Sequence, residues 1–354
     1  MPDVLMWGRM EREFARNRIM TKLFEGIGWG IRYFHPFSSQ LGLLQATFSK
    51  LQRPDLSWVP CFRQRDVHSA AIWSRRWDVP TVFDPITSVY EKETYERKKM
   101  PPGSRRAERR KAWERKLFLK MNLVVLENHA YMDFVHNELG IPRDRLAALY
   151  QGAFTDLFKP SPLPQPPKPP FEIVFFGSFH PSMGTDIIVD AARAASDLPC
   201  RWIFIGDGDL RKKTEERARG LSNVTFEGWL PYQDLPARLS RAHILLGIFG
   251  TTFKTDFVIP NKVFESMAVA RPLITQWADA YTANIGHSEV IGWVPRGDAH
   301  ALAATVREWI SRPEALAQRG QATRALFDKH FGPETQKRDL MSILDRLHLG
   351  RSHP

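Results

Sequence analysis

Phe171-Glu172-Ile173-Val174-Phe175-Phe176-Gly177-Ser178-Phe179-His180-Pro181-Ser182-Met183-Gly184-Thr185 decides the fold. Phe171 to Phe176 reads as a strand and Thr185 opens a helix, with a loop of small residues between them. Such a loop lets backbone N–H groups approach a phosphate. It is not a Walker loop, because it lacks the Gly-Lys-Ser/Thr ending. The alternation then repeats. Strands are expected at 201–205, 224–227, 244–249 and 273–276, and helices at about 185–196, 210–219, 232–241 and 262–270. Strands that alternate with helices predict a doubly wound parallel sheet. Further helices are expected at about 300–311, 313–330 and 334–347.

Upstream, the same pattern is looser. Strands are expected at 3–7, 31–34, 56–59, 81–83, 122–126 and 146–150, with helices at 14–24 and 131–139 and one from a Ser38 cap to about Leu51. Between the halves lies Lys159 to Pro170, with seven prolines in twelve residues. It reads as a stiff extended linker. The predicted organisation is therefore a first Rossmann-like domain over 1–158, a linker over 159–170 and a second Rossmann-like domain over 171–331. A C-terminal helical segment, 332–354, returns to the first domain in this scheme.

At 354 residues the chain is long enough for two cores. Cys61 and Cys200 lie far apart, which fits neither a disulfide framework nor a metal-ligand spacing and points to a reducing compartment. The N-terminal residues lack a basic n-region and a long apolar h-region, so no signal peptide is expected. No run of about 20 apolar residues suggests a membrane span.

The net charge is +11, and twelve Lys/Arg against four Glu between Lys92 and Lys120 account for most of it. A helix from Arg105 to Lys120 is expected there, capped by Ser104, with Ala112, Trp113, Lys116 and Leu117 on one side and Arg106, Arg109, Arg110 and Lys120 broadly opposite. Three readings compete: a solvated helix, contact with an anionic membrane through Arg105, Arg106, Arg109, Arg110 and Trp113, or nucleic-acid binding.

Ile259-Pro260-Asn261-Lys262-Val263-Phe264-Glu265-Ser266-Met267-Ala268 carries the chemistry. Pro260 and Asn261 signal a helix start, with Asn261 as N-cap. Lys262 and the helix N-terminus favour a phosphate. Glu265, one turn in, can accept from two vicinal hydroxyls, as on a ribose. The plainer reading is a capped helix with a surface Lys262–Glu265 pair. Asp207-Gly208-Asp209 reads as a strand-to-helix turn with Asp209 as a cap, rather than as a metal pair. At strand ends of the first half, Asp84, His68, Glu127, Asn128 and His129 are candidates to meet an acceptor hydroxyl, or are loop caps.

Taken in order, Val174-Phe175-Phe176-Gly177, Gly184, Ile205-Gly206-Asp207-Gly208, Val224 to Leu230, Asn261 to Ala268 and Arg271-Pro272-Leu273-Ile274 resemble the nucleotide-binding domain of family 4 glycosyltransferases, over about 171–331. Gln151 to Pro160 resembles the interdomain entry of that family. The resemblance implies a GT-B fold, α/β with two doubly wound Rossmann-like domains facing each other across a cleft. It implies transfer of a sugar from a nucleotide-sugar with retention and without a metal or other cofactor.

By that match Glu265 holds the ribose, and Gly177, Ser178 and His180 face the diphosphate with Asn261 and Lys262. Gly206, Gly208, Trp229 and Leu230 border the base. Lys262, Asp84 and His68 form the catalytic set, Asp84 lying nearest the place of the histidine that the family carries in its first domain. The chain departs from the pattern at Phe257, where a first glutamate is usual and Asp256 stands beside it, and at Ser178 and Met183, where phosphate-binding cations are usual. The expected protein is a cytoplasmic transferase, peripheral on the inner face of the cell membrane, that builds a cell-surface glycan on a glycan or lipid-linked acceptor. The alternatives are a catalytically silent nucleotide-sugar binder and, behind it, a nucleic-acid-binding protein.

Overall fold

The structure is a computed structural model that describes residues 1–163 and 167–349. The chain divides into two compact units, Met1–Gln151 together with the chain from Pro333, and Gly152–Gly332. Of the proline-rich segment, Leu163 is buried in the core of the second unit, and 164–166 lie outside the described residues, as does 350–354 of the C-terminal segment.

The first unit is built on a parallel sheet of β1 (Asp3–Trp7), β2 (Gly30–Phe34), β3 (Leu56–Val59), β4 (Thr81–Phe83), β5 (Leu123–Leu126) and β6 (Leu146–Ala148), ordered β2-β1-β3-β4-β5-β6. Side chains alternate between its faces, as a pleated strand requires. On one face Val4, Met6, Trp58, Val82 and Val125 meet Ile19, Leu23 and Phe24 of the helix Ala15–Gly26. The helix Pro333–Asp345 closes that face with Leu340, Ile343 and Leu344. On the other face Trp7 lies 5.4 Å from Trp73 of the helix Val67–Arg76, and Phe83 lies 5.6 Å from Phe118 of the helix Arg105–Phe118.

In the second unit β7 (Phe171–Phe176), β8 (Cys200–Ile205), β9 (Val224–Glu227), β10 (Ile244–Leu246), β11 (Leu273–Gln276) and β12 (Gly292–Val294) run parallel in the order β12-β11-β10-β7-β8-β9. This is the strand order of the dinucleotide-binding Rossmann sheet, with its switch point between β7 and β10. Ile173, Phe175, Trp202, Phe204, Ile244 and Leu246 fill the core with Ile188, Val189 and Val306 from two covering helices.

Most elements fall where the sequence puts them, and four local expectations are corrected. The strand β12 lies in a stretch to which the sequence reading assigns no element. Ser38 does not cap the next helix, which spans Gly42–Phe48; its Oγ accepts from Gln40 N at 3.3 Å in the preceding turn. Asn261 is the first helical residue, with Pro260 in the N-cap place and no side-chain cap bond. Asp209 does not cap the helix Arg211–Arg217, whose N-cap residue is Leu210.

Candidate nucleotide-sugar site

Open α/β sheets take ligands at the carboxyl ends of their strands, beside the switch point. In the second unit that place is built from the loops after β7, β8 and β10 and the start of the helix Asn261–Ala268. Backbone packing there is tight. Gly177 N donates to Ile205 O at 2.9 Å, and Gly206 N donates to Gly228 O at 3.2 Å. Gly206 has φ +124°, and a Cβ added to it would lie 2.1 Å from Gly177 O. Glycine is therefore required at 206, and the two loops are held together with no side chain between them. Arg211, which sequence reading missed, donates from Nη1 to Gly206 O and to Glu227 O. It anchors the loop after β8 from below.

Lys262 lies in the first turn of its helix and is 5% exposed. Its ammonium stands 3.7 Å from the centroid of the Phe175 ring and donates to Met183 Sδ at 3.0 Å. A Cβ on Gly177, whose φ is +115°, would come within 3.3 Å of Nζ, so glycine there leaves the ammonium open to the loop. The surface-pair reading of Lys262 and Glu265 is thus overturned: both are buried. Burial holds the Lys262 pKa well below the ordinary lysine range, and Glu265 opposes that only in part. Met183 occupies one of the two places where the resemblance expects a phosphate-binding cation, and it is the residue against which Lys262 rests.

Glu265 is 6% exposed, and its Oε1 accepts from the Tyr232 hydroxyl at 2.8 Å. Tyr232 is fixed in turn by the Phe158 ring at 5.2 Å. Its link to Glu265 spans 33 residues and leaves no local sequence signal. The glutamate is thus oriented before any ligand arrives, which suits a group that reads a diol. If it does so, Glu265→Gln weakens nucleotide binding by about 1.5–3 kcal/mol, the range for bonds to a charged group. Titration calorimetry reads this, and unchanged affinity with an intact fold removes Glu265 from the site.

The remaining residues that the resemblance assigns to the donor are placed as follows. Ser178 and Gly208 are exposed, and His180 is half-buried where the turn Pro181–Met183 begins. Leu230 and Asn261 are half-buried, and Trp229 is 69% exposed just beyond β9. Asp207 Oδ1 accepts from Gly208 N at 2.7 Å, and Asp209 is exposed. Among the described residues no group of His, Cys, Asp and Glu is arranged to hold a metal ion. Phe257 packs 5.1 Å from Phe253, and Asp256 pairs with Arg296 at 2.6 Å.

In the first unit the two other residues of the expected catalytic set are not brought together as one polar group. Asp84 is 1% exposed and accepts from Arg16 Nε at 2.7 Å, whereas His68 is exposed on its helix. The basic helix also turns differently from expectation. Ser104 caps it, accepting from Ala107 N at 3.2 Å, but its buried residues are Ala107, Glu114, Leu117 and Phe118. Glu114 accepts from Val89 N at 2.7 Å and Tyr90 N at 2.9 Å, so a carboxylate occupies the inner face where the pattern of apolar residues suggests Ala112 and Trp113. Ala112 and Lys116 face solvent, Arg105, Arg106 and Arg109 are exposed, and Arg110 pairs with Glu93 at 2.9 Å beside a half-buried Trp113.

The family model described as "Glycosyl transferases group 1" matches residues 170–312. Over those residues the chain is similar to the group 1 glycosyltransferases. The O-antigen chain mannosyltransferase C of Escherichia coli is 31% identical over 168 residues, 45% of this chain and 42% of that protein. A putative colanic acid biosynthesis glycosyltransferase of E. coli strain K12, WcaL, is 26% identical over 223 residues, 59% of this chain and 53% of its own length. The chain spans about half the length of the curated relatives it matches.

Among solved structures, Anabaena HepE in complex with UDP superposes with a TM-score of 0.70 at 16% identity, covering 98% of this chain and all (100%) of that one. Sucrose-phosphate synthase from Thermosynechococcus elongatus gives 0.72 at 14% identity, covering 99% and 100%. The fold is GT-B, with a Rossmann-like sheet in each unit. The group 1 match runs from β7 through the helix Ala299–Ile310, so it contains the whole of the switch-point site.

Proposed function

We propose that this protein transfers a sugar from a nucleoside-diphosphate sugar to a glycan or lipid-linked acceptor in cell-surface polysaccharide biosynthesis, with retention and without a metal. The observation that carries the reading is the Lys262 ammonium, buried at the switch point with a thioether and an aromatic face around it. Such a group is poorly solvated and gains most from an anion delivered to it. Gly177 leaves that side open, and the helix N-terminus adds its dipole. As the sugar passes to the acceptor oxygen, the bond from its anomeric carbon to the diphosphate breaks and the diphosphate leaves with the electron pair, so a cation there stabilises charge that grows in the transition state. Glu265, steadied by Tyr232, takes the ribose, and Trp229 borders the base. The relatives named for O-antigen, colanic acid and amylovoran synthesis support the polysaccharide setting, and the UDP-bound neighbour supports the donor class.

A thermal-shift screen of nucleotide-sugars followed by donor hydrolysis tests this, because a ligand that binds only the native state raises its apparent stability. NMR of the transferred sugar reads the anomeric outcome, and inversion sinks the retaining assignment. EDTA is expected to leave turnover unchanged. Inhibition by EDTA that manganese reverses would instead make Asp207 and Asp209 metal ligands. The silent-binder alternative is favoured by Met183 and Ser178 standing where cations are usual. It predicts a thermal shift with no hydrolysis and no transfer.

A further inference from the structure

The helix Gly42–Phe48 is built inside out. It packs on the helix Val67–Arg76 through its smallest residues, Gly42 and Ala46, and a Cβ on Gly42 would meet Ser69 Oγ at 3.1 Å. At 100° per residue, Leu41, Leu44 and Phe48 fall on the opposite side. They are 54%, 55% and 81% exposed. Phe37, just before the helix, is 79% exposed. It is held in that position: Arg9 donates to Pro36 O at 2.9 Å and to Phe37 O at 3.0 Å, and Phe37 N donates to Gln45 Oε1 at 2.7 Å. A surface helix ordinarily turns its large apolar residues toward the core. Here four of them are turned outward within the twelve residues Phe37 to Phe48, which marks an interaction surface.

The neighbours say what covers it. Gly42–Phe48, Val67–Arg76 and Arg105–Phe118 lie on the same face of the first sheet, since Gly42 meets Ser69, Ser69 and Trp73 meet Trp7, and Phe118 meets Phe83. From Gly26 to Pro54 and from Val67 to Trp77 there is no Asp or Glu. The exposed cations of this helical layer include Lys50, Arg75, Arg76, Arg105, Arg106, Arg109, Arg115 and Lys116, against the one exposed carboxylate of its third helix, Glu108, and Ile72 and Trp77 are also exposed. Outward apolar side chains within a basic, acid-poor layer match the acyl boundary and headgroups of an anionic bilayer. Among the described residues no helix is long and apolar enough to cross a membrane.

We infer that this helical layer docks on an anionic bilayer, with Phe37, Leu41, Leu44 and Phe48 entering the interface and the arginines on its headgroups. This deepens the expectation, drawn from the sequence, of a protein peripheral on the membrane, and does not depend on the transferase chemistry. Phe37 follows β2 at the carboxyl edge of the sheet, the edge at which such sheets take ligands. A lipid-linked acceptor would reach that edge from the surface on which the unit rests.

The test is sedimentation of the full chain with phosphatidylglycerol-containing vesicles and with pure phosphatidylcholine vesicles. Binding to the first, weakening as salt rises, is expected. The combined variant Phe37→Ser, Leu44→Ser, Phe48→Ser is expected to lower the partition coefficient at least about tenfold. Arg105→Glu with Arg106→Glu and Arg109→Glu is expected to lower it by more than about 100-fold. Both sets change exposed side chains, so circular dichroism and the thermal shift given by a nucleotide-sugar should stay as in the parent protein. Phe48→Trp should keep binding. Equal binding to both vesicle types, or full binding by the serine variant, overturns the inference. So does a dimer seen by light scattering that the serine variant dissolves, because a second copy would then be the occupant. Donor hydrolysis is read separately, so failure of docking and failure of the transferase reading are distinguishable.

Discussion

Lys262→Met is expected to lower turnover at saturating nucleotide-sugar by about 10²–10³-fold, the loss typical of removing one preorganised group that meets developing charge. The same change is expected to stabilise the ligand-free protein. A lysine head group buried against Met183 Sδ and the Phe175 face has exchanged water for weak partners. Removing a poorly satisfied buried polar group recovers about 1–3 kcal/mol. Methionine keeps the length of the chain, and the pocket already holds a thioether. Calorimetric melting of both proteins with and without donor reads the two effects together. A Lys262→Met protein that is both less stable and fully active would show the ammonium to be structural.

The pH dependence gives a second measure of the same group. Burial lowers the folded-state pKa of Lys262 below its unfolded value. Between those two values the unfolded chain binds more protons than the folded one. Stability conferred through this residue therefore rises as pH climbs from the folded-state pKa toward the ordinary lysine range, and Lys262→Met loses that rise. On the proposed reading, a bound diphosphate would restore the cation. Donor binding should then take up a proton at pH values above the free-state pKa, visible as a buffer-dependent binding enthalpy that Lys262→Met abolishes.

The sequence made the second unit readable because its strands are long apolar runs and its loops carry glycines where backbones meet, as at Gly177 and Gly206. Where side chains break the usual link between polarity and exposure, sequence reading failed. Lys262 and Glu265 have the spacing of a surface ion pair, yet both are buried, and their working partners Met183 and Tyr232 come from other loops. Glu114 sits inside its helix because it accepts from the amides of Val89 and Tyr90, so the apolar periodicity of that helix points the wrong way. Leu44 and Phe48 have the opposite character: apolar residues that face outward because Gly42 and Ala46 take the inner side. In β12, three residues with a glycine first gave too short a run to stand out from its loop.

Asp84→Asn is expected to cost stability before it costs chemistry. Asp84 and Arg16 are 1% and 0% exposed, and Arg16 also donates from Nη1 to Leu149 O at 2.7 Å, tying the start of the helix Ala15–Gly26 to β4 and to the chain just beyond β6. Burial pushes the Asp84 carboxyl up, and the adjacent guanidinium opposes this. Removing one partner from a buried pair leaves the other charge uncompensated, which costs about 3–5 kcal/mol. For a unit of this size that is a fall in melting temperature of roughly 10 °C.

The paired change Arg16→Met, Asp84→Leu removes both charges, and a well-packed apolar replacement of a buried pair is often neutral or better. It should recover most of the loss. Affinity for the donor, read by calorimetry below the melting transition, should be unaffected in both variants, since every residue proposed to meet the donor lies in the other unit. The acceptor-side reading of Asp84 predicts the reverse: Asp84→Asn melts with the parent protein and loses transfer, and the paired change, however stable, stays inactive. If that pattern is found, Asp84 belongs to the reaction and its ion pair with Arg16 positions it.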